Sequence, residues 1–197
     1  MWDQRYDRPD YLFGTRPADF LVNQAEQIPA GSNILCVADG EGRNSVYLAQ
    51  LGHKVTAFDA SNVALAKARK LALSKDVSVT FELSSIEDWD WSNSYDVVVA
   101  IFIQFAPPHL REEVFKNMIK AMRPGGLILL HGYTPRQVEY GTGGPPQVEH
   151  MYTKDLLQSA FAELELLRLE DYEAEIDEGE GHSGRSALID LVARKKT

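Results

Sequence analysis

Cysteine is nearly absent from this chain: Cys36 is the only one in 197 residues, which excludes an internal disulfide framework. Basic residues are scarce, 20 Lys and Arg against 29 Asp and Glu, giving a formal net charge of −9. Nucleic-acid binding depends mainly on Lys and Arg neutralising phosphates. No Lys/Arg stripe runs along the chain, so no nucleic-acid partner is expected. Also missing is any apolar run near the roughly 20 residues that span a bilayer, so no membrane partner is expected either. The stretch from Met1 to Arg8 is charged where a secretory signal would be apolar. The expected compartment is the cytoplasm.

What remains is ordinary globular composition, 44% hydrophobic and 25% charged. A single domain over residues 1–197 is expected, with residues 1–30 as an N-terminal cap. Much of the acidic excess falls late. Between Glu163 and Glu180 lie nine carboxylates and one base, Arg168, which reads as a solvated surface.

Apolar runs alternate with helical patterns. The spacing predicts strands at 33–38, 54–58, 77–83, 95–102 and 127–131. Helices are predicted at 17–27, 44–51, 61–74, 109–122 and 154–162. Ser61 and Thr153 suit N-caps. Two late extended segments, 163–175 and 186–195, flank the turn Gly179 to Gly184. Strand–helix alternation implies parallel units with right-handed crossovers, and the late pair implies an antiparallel hairpin. The expected fold is α/β: one doubly wound, mostly parallel seven-stranded sheet with a C-terminal antiparallel hairpin.

Gly40-Glu41-Gly42 lies between the first strand and its helix, and Asp59 ends the second strand. Ligands in such sheets bind beyond the carboxyl ends of the strands. An acid there can accept hydrogen bonds from two ribose hydroxyls. A dinucleotide would lay its pyrophosphate on the helix N-terminus. Two carboxylates, Asp39 and Glu41, sit in that turn, and Ser45 replaces the third glycine of the dinucleotide fingerprint. A cationic sulfonium cofactor suits this charge pattern better than an anion.

The strand and turn from Ile34 to Ser45 resemble motif I of the class I S-adenosylmethionine-dependent methyltransferases. In particular they resemble the small bacterial family that includes the tellurite-resistance methyltransferases, which carry a Gly-Glu-Gly-Arg-Asn string like Gly40 to Asn44. The likeness continues at Val55 to Ser61, Tyr95 to Val98, Arg123 to Gly126 and Tyr140 to Pro146. It implies a Rossmann-like fold and S-adenosylmethionine as cofactor. It also implies that Ala38, Asp39, Gly40 and Gly42 wrap the methionine part, and that Asp59 binds the ribose beside Ala60 and Ser61. Ser85 and Ile86 would edge the adenine, and Ile101 and Phe102 would line the sulfonium. The sequence departs from relatives at Cys36, Ala38 and Ser85, where an acid, a glycine and an aspartate are frequent.

Methyl transfer needs alignment and water exclusion more than acid–base chemistry. An ionised thiol or a chalcogen oxyanion acceptor would need no base. The candidate catalytic residues are Gln104, His131 and Tyr133, each with an alternative structural reading. His150, Tyr152 and His182 are further rim candidates. Arg136 and Arg185 are candidates for holding an anion, and Cys36 reads as core. Residues 135–152, with the glycine–proline run 140–146, form a candidate lid, and the stretch Phe13 to Pro17 resembles the family's cofactor-covering N-terminal segment, where Phe13 would pack. Two alternatives stay open: a non-catalytic cofactor-binding or interaction module, and a nicotinamide-dependent oxidoreductase. A small-molecule acceptor and a monomer or homodimer are expected.

Overall fold

The computed structural model describes residues 2–197. Seven strands form one sheet in the order β3-β2-β1-β4-β5-β7-β6. These are β1 (Asn33–Cys36), β2 (Lys54–Asp59), β3 (Thr80–Leu83), β4 (Tyr95–Ile101), β5 (Met122–Tyr133), β6 (Glu165–Asp177) and β7 (Ser183–Arg194). The first five run parallel, and β7 pairs antiparallel with both β5 and β6. The helices are α1 (Trp2–Tyr6), α2 (Asp19–Gln24), α3 (Arg43–Gln50), α4 (Asn62–Ser74), α5 (Pro108–Ala121) and α6 (Lys154–Ala160). This is the doubly wound sheet with a terminal antiparallel hairpin that the strand–helix alternation predicts.

Alternation within β4 shows why both faces are covered. Val97 and Val99 pack with Ile34, Cys36, Leu127 and Leu129 on the side of α2 and α3. Val98 and Ala100 pack with Leu35, Ile128, Leu130 and the residues of α5 and α6 on the other side. Successive strand side chains point to opposite faces, so an unbroken apolar run is a strand covered twice. Cys36 is buried among these residues, in the core as its neighbours suggested.

Several boundaries differ from the sequence reading. β1 ends at Cys36, and Ala38 adopts φ +48°. β4 ends at Ile101 because Phe102 sits at φ +56°. A left-handed conformation at a residue with a Cβ costs about 1–2 kcal/mol and stops the ladder. β5 starts earlier than expected, at Met122: the Arg-Pro-Gly-Gly break is absorbed into the strand beside a register shift between Tyr95 and Val97. The hairpin strands, expected at 163–175 and 186–195, form at 165–177 and 183–194. The helix expected at 17–27 is α2 followed by a short 3-10 turn, Ala25–Gln27. Helix α1 has no counterpart in the sequence reading. It is fixed by tertiary contact: the Asp3 carboxylate accepts from Ser61 Oγ at 2.6 Å and from the Val63 N–H at 3.2 Å, at the start of α4.

Helices α3 and α4 meet where Gly42 opens α3. Gly42 has φ +87°, and a Cβ there would lie 2.7 Å from the Ala68 Cβ. Gly42→Ala is expected to lower unfolding free energy by about 2–4 kcal/mol, from overpacking and left-handed strain together, as read by urea denaturation.

Candidate active site

The order of strands reverses between β1 and β4, and a cavity of about 700 Å³ opens there beyond their carboxyl ends. Its polar end is built from Ala38, Asp39, Gly40, Asp59 and Ala60, with Ser85 and Ile86 beside them. Its other end is apolar and aromatic, lined by Ile101, Phe102, Phe105, Leu110, Pro145 and Pro146. The chain's N-terminal part roofs it with Trp2, Arg5, Tyr6 and Phe13.

Asp59 is 7% exposed, and its two oxygens accept the Gly40 N–H at 2.9 Å and the Ser61 N–H at 2.8 Å. Burial raises its carboxyl above the ordinary range, and the backbone N–H groups of Ser61, Gly40 and Ala60 oppose that. The two carboxylate oxygens carry four acceptor sites between them, so acceptor capacity remains beyond these three N–H groups. Burial also pushes Asp39 up to about 7, with Asp59 adding to the rise and the Ser45 hydroxyl opposing it.

Two of the expected cofactor residues do not line the cavity. Gly42 faces Ala68, and Ser61 is fully buried capping α4, its Oγ accepting from the Ala64 N–H at 3.1 Å. Both act behind the wall. Ser85 is at the cavity, but its hydroxyl donates to Asp88 Oδ2 at 2.8 Å and accepts the Asp88 N–H. Glu41 also departs from the expectation that its charge lies where a pyrophosphate would. It turns away from the cavity and pairs with Lys67 Nζ at 2.8 Å, at 2% side-chain exposure.

The catalytic candidates separate. His131 does not reach the cavity: its Nδ1 lies 2.8 Å from Asp190 Oδ1, and its ring stacks on Phe20 and meets the edge of Phe102. Gln104 lines the cavity, yet its amide is committed. Nε2 donates to the Tyr133 carbonyl at 2.8 Å and Oε1 accepts the Tyr133 N–H at 2.6 Å. It therefore clamps the end of β5 rather than orienting an acceptor. Tyr133 lines the cavity. His150 and His182 line it as well, whereas Tyr152 packs into the core against Phe115. Arg136 and Arg185 stand outside the cavity, both paired with Glu173.

Sequence reasoning anticipated Phe13 in the roof but missed Trp2, Arg5 and Tyr6 and the role of Arg43. Arg43 opens α3 and binds Glu178 of the hairpin at 2.7 Å, at 7% and 4% side-chain exposure. The other Glu178 oxygen accepts the Asp19 N–H at 3.2 Å, and Asn44 Oδ1 accepts the Ala18 N–H at 3.0 Å. The Arg-Asn of the glycine string thus ties the N-terminal segment and the hairpin over the site. The only signal was that string itself, since Glu178 lies 135 residues away.

The family described as "Methyltransferase domain" matches residues 34–126, the stretch from β1 to the start of β5. A ubiquinone biosynthesis O-methyltransferase of Rickettsia akari is 29% identical over 157 residues, which cover 75% of this chain and 61% of that protein. The chain thus spans less than two thirds of that relative's length. Among solved structures, TehB from Haemophilus influenzae superposes with a TM-score of 0.74 at 20% identity, covering 99% of this chain and 66% of that one. The N-methyltransferase NodS from Bradyrhizobium japonicum WM9, in complex with S-adenosyl-L-homocysteine, gives 0.72 at 15% identity, covering 100% and 97%.

Residues 34–126 thus match a methyltransferase domain, and the doubly wound fold as a whole is shared with these solved structures. Among the described residues no helix is long and apolar enough to cross a membrane.

The buried Arg43–Glu178 pair makes a direct prediction. Glu178→Gln leaves Arg43 without its counter-charge and is expected to cost about 3–5 kcal/mol. The double variant Arg43→Met/Glu178→Leu should recover most of that in denaturant melts.

Proposed function

We propose that this protein transfers a methyl group from S-adenosylmethionine to a small-molecule acceptor by in-line displacement. The observation that carries the reading is one cavity joining a carboxylate-lined polar end to an apolar, aromatic end across the switch point of the sheet. Its volume, about 700 Å³, lies within the range of small-ligand sites.

The donor set suits the cofactor. Asp59 lies on the cavity wall with acceptor capacity left for a ribose hydroxyl, and Ala60 is beside it. The Ala38 to Gly40 turn and the Asp39 carboxylate suit the cationic methionine part, and Ser85 and Ile86 flank the adenine side. Ile101 and Phe102 form the wall at the sulfonium. S-adenosylmethionine supplies a methyl carbon on that sulfonium, whose bond to sulfur breaks as an acceptor's electron pair bonds to the carbon.

The protein's part is alignment and exclusion of water. Phe102, held at φ +56°, presents an apolar face there. Arg5 stands at the mouth, its guanidinium over the rings of Trp2 (5.4 Å) and Phe13 (5.7 Å), with no carboxylate partner among the described residues. It attracts an anionic acceptor or the cofactor's carboxylate. The acceptor class implied by the tellurite-resistance resemblance is a thiol or chalcogen oxyanion, which reacts ionised and so needs no base. Residues 135–152 would serve as the lid, with Gly144, Pro145 and Pro146 already on the cavity wall.

Transfer of label from methyl-labelled S-adenosylmethionine to a panel of thiols, selenite, tellurite and small metabolites tests the reading. Tight S-adenosylhomocysteine binding with no turnover would favour a non-catalytic module instead. Tighter binding of NAD than of S-adenosylhomocysteine would overturn the proposed cofactor. Asp59→Ala should weaken S-adenosylhomocysteine binding by roughly 1.5–3 kcal/mol in calorimetry.

The raised Asp39 gives a pH signature. The folded protein holds this proton up to about pH 7, whereas the unfolded chain releases it near pH 4. Unfolding free energy therefore falls as pH rises between those values. The ionised form suits the α-ammonium that the cofactor and S-adenosylhomocysteine share, so S-adenosylhomocysteine affinity should fall about tenfold from pH 8 to pH 6. Asp39→Asn should bind weakly and flatten that profile.

A further inference from the structure

Tyr133 closes β5 at 1% exposure, and its hydroxyl has no hydrogen-bond partner among the described residues. Buried polar groups in folded proteins are nearly always paired, and this one has well-paired neighbours. Gln104 spends both ends of its amide on the Tyr133 backbone. Gln137, also buried, donates to Thr142 Oγ1 at 2.9 Å and accepts the Ala187 N–H at 2.8 Å.

The ring of Tyr133 belongs to the cavity wall, 4.7 Å from Phe102 and 5.6 Å from His182 between centroids. Two glycines lie over it. A Cβ at Gly143 would stand 2.8 Å from the hydroxyl oxygen, and one at Gly144 would stand 3.0 Å from the ring. Both have positive φ, +140° and +90°, so this stretch of the candidate lid covers the phenol with backbone alone. Two ring nitrogens on the same wall, His150 Nδ1 and His182 Nδ1, are buried and unpartnered as well.

We infer that Tyr133 anchors the methyl acceptor, donating its O–H to an oxygen lone pair that reaches it when the Gly143–Gly144 stretch of the candidate lid lifts off the ring. The inference rests on the methyltransferase reading and narrows its acceptor to an oxygen-bearing one, a hydroxylated ring or an oxyanion. Sulfur is a weak hydrogen-bond acceptor, so a thiol would leave the hydroxyl unsatisfied. Burial raises the phenol well above its ordinary range, which keeps Tyr133 a donor and excludes it as a base. Tyr133 is therefore a positioning and specificity residue.

The test is calorimetry on protein saturated with S-adenosylhomocysteine, with catechol and selenite as oxygen-bearing probes and ethanethiol as the sulfur probe. At least one oxygen-bearing probe is expected to bind about tenfold more tightly than the thiol. Binding of catechol alone assigns a hydroxylated ring, and of selenite alone an oxyanion. Tyr133→Phe is expected to lose about tenfold of that probe's affinity, the size of one hydrogen bond. It should keep S-adenosylhomocysteine affinity within about twofold and melt at the same temperature or about 2–4 °C higher, since a buried unpaired hydroxyl is gone.

Equal probe binding by wild type and Tyr133→Phe overturns the inference, as does preference for the thiol or failure of both oxygen-bearing probes. A lower melting temperature shows the hydroxyl to be paired within the protein and overturns it too. If wild type fails to bind S-adenosylhomocysteine, the methyltransferase reading itself falls, and this inference with it.

Discussion

The site depends first on one buried carboxylate. Asp59 ends β2 and draws in the N–H of Gly40 from the turn after β1 and the N–H of Ser61 from the cap of α4. Two loops that ligands approach are thereby held at a fixed distance by charge-assisted bonds in a site sheltered from water, where such bonds are strongest. Ser61 passes the constraint on: its hydroxyl donates to Asp3 and accepts from Ala64. The N-terminal helix is thus attached to the same point. Replacing any one of these groups disturbs a wall, a cap and part of the roof together.

The second constraint is long-range. Arg43 and Glu178 join the start of α3 to the hairpin turn, and Glu178 also receives the Asp19 N–H. At the same turn the Gly181 N–H reaches the Leu12 carbonyl, and a Cβ at Gly179 would strike the Phe13 backbone at 2.4 Å. The N-terminal segment and the hairpin, at opposite ends of the chain, therefore interlock over the cavity. A buried ion pair is weak evidence for stability, because desolvation offsets much of its attraction. Here it determines which segments meet and where the roof sits.

The placement of charge corrects a simple electrostatic argument. Asp39 and Glu41 are two residues apart, and both seemed to oppose a pyrophosphate. In the fold only Asp39 faces the cavity, while Glu41 is neutralised by Lys67. The case against an anion at this turn rests on Asp39 and on the missing third glycine. It weakens accordingly, and the proposed cofactor leans more on the methyltransferase-domain match over residues 34–126.

The sequence alone determined the strand–helix alternation, the doubly wound sheet with its terminal hairpin, and the location of the Gly40 and Asp59 turns. Those features follow from local periodicity and from backbone conformations that few residues allow, so they are written in neighbouring positions. Only the tertiary structure decided which polar atoms remain free. Gln104 was legible as a polar residue after β4, but not its engagement with Tyr133 on the next strand. His131 was legible as a strand-end histidine, but not its partner Asp190, 59 residues on. Gly42 and Ser61 belong to the right turns and yet face away from the cavity. Hydrogen-bond satisfaction depends on groups far apart in the chain, and no local pattern encodes it. For the same reason the acceptor proposed for this site is approached through one unpartnered hydroxyl that only the folded chain reveals.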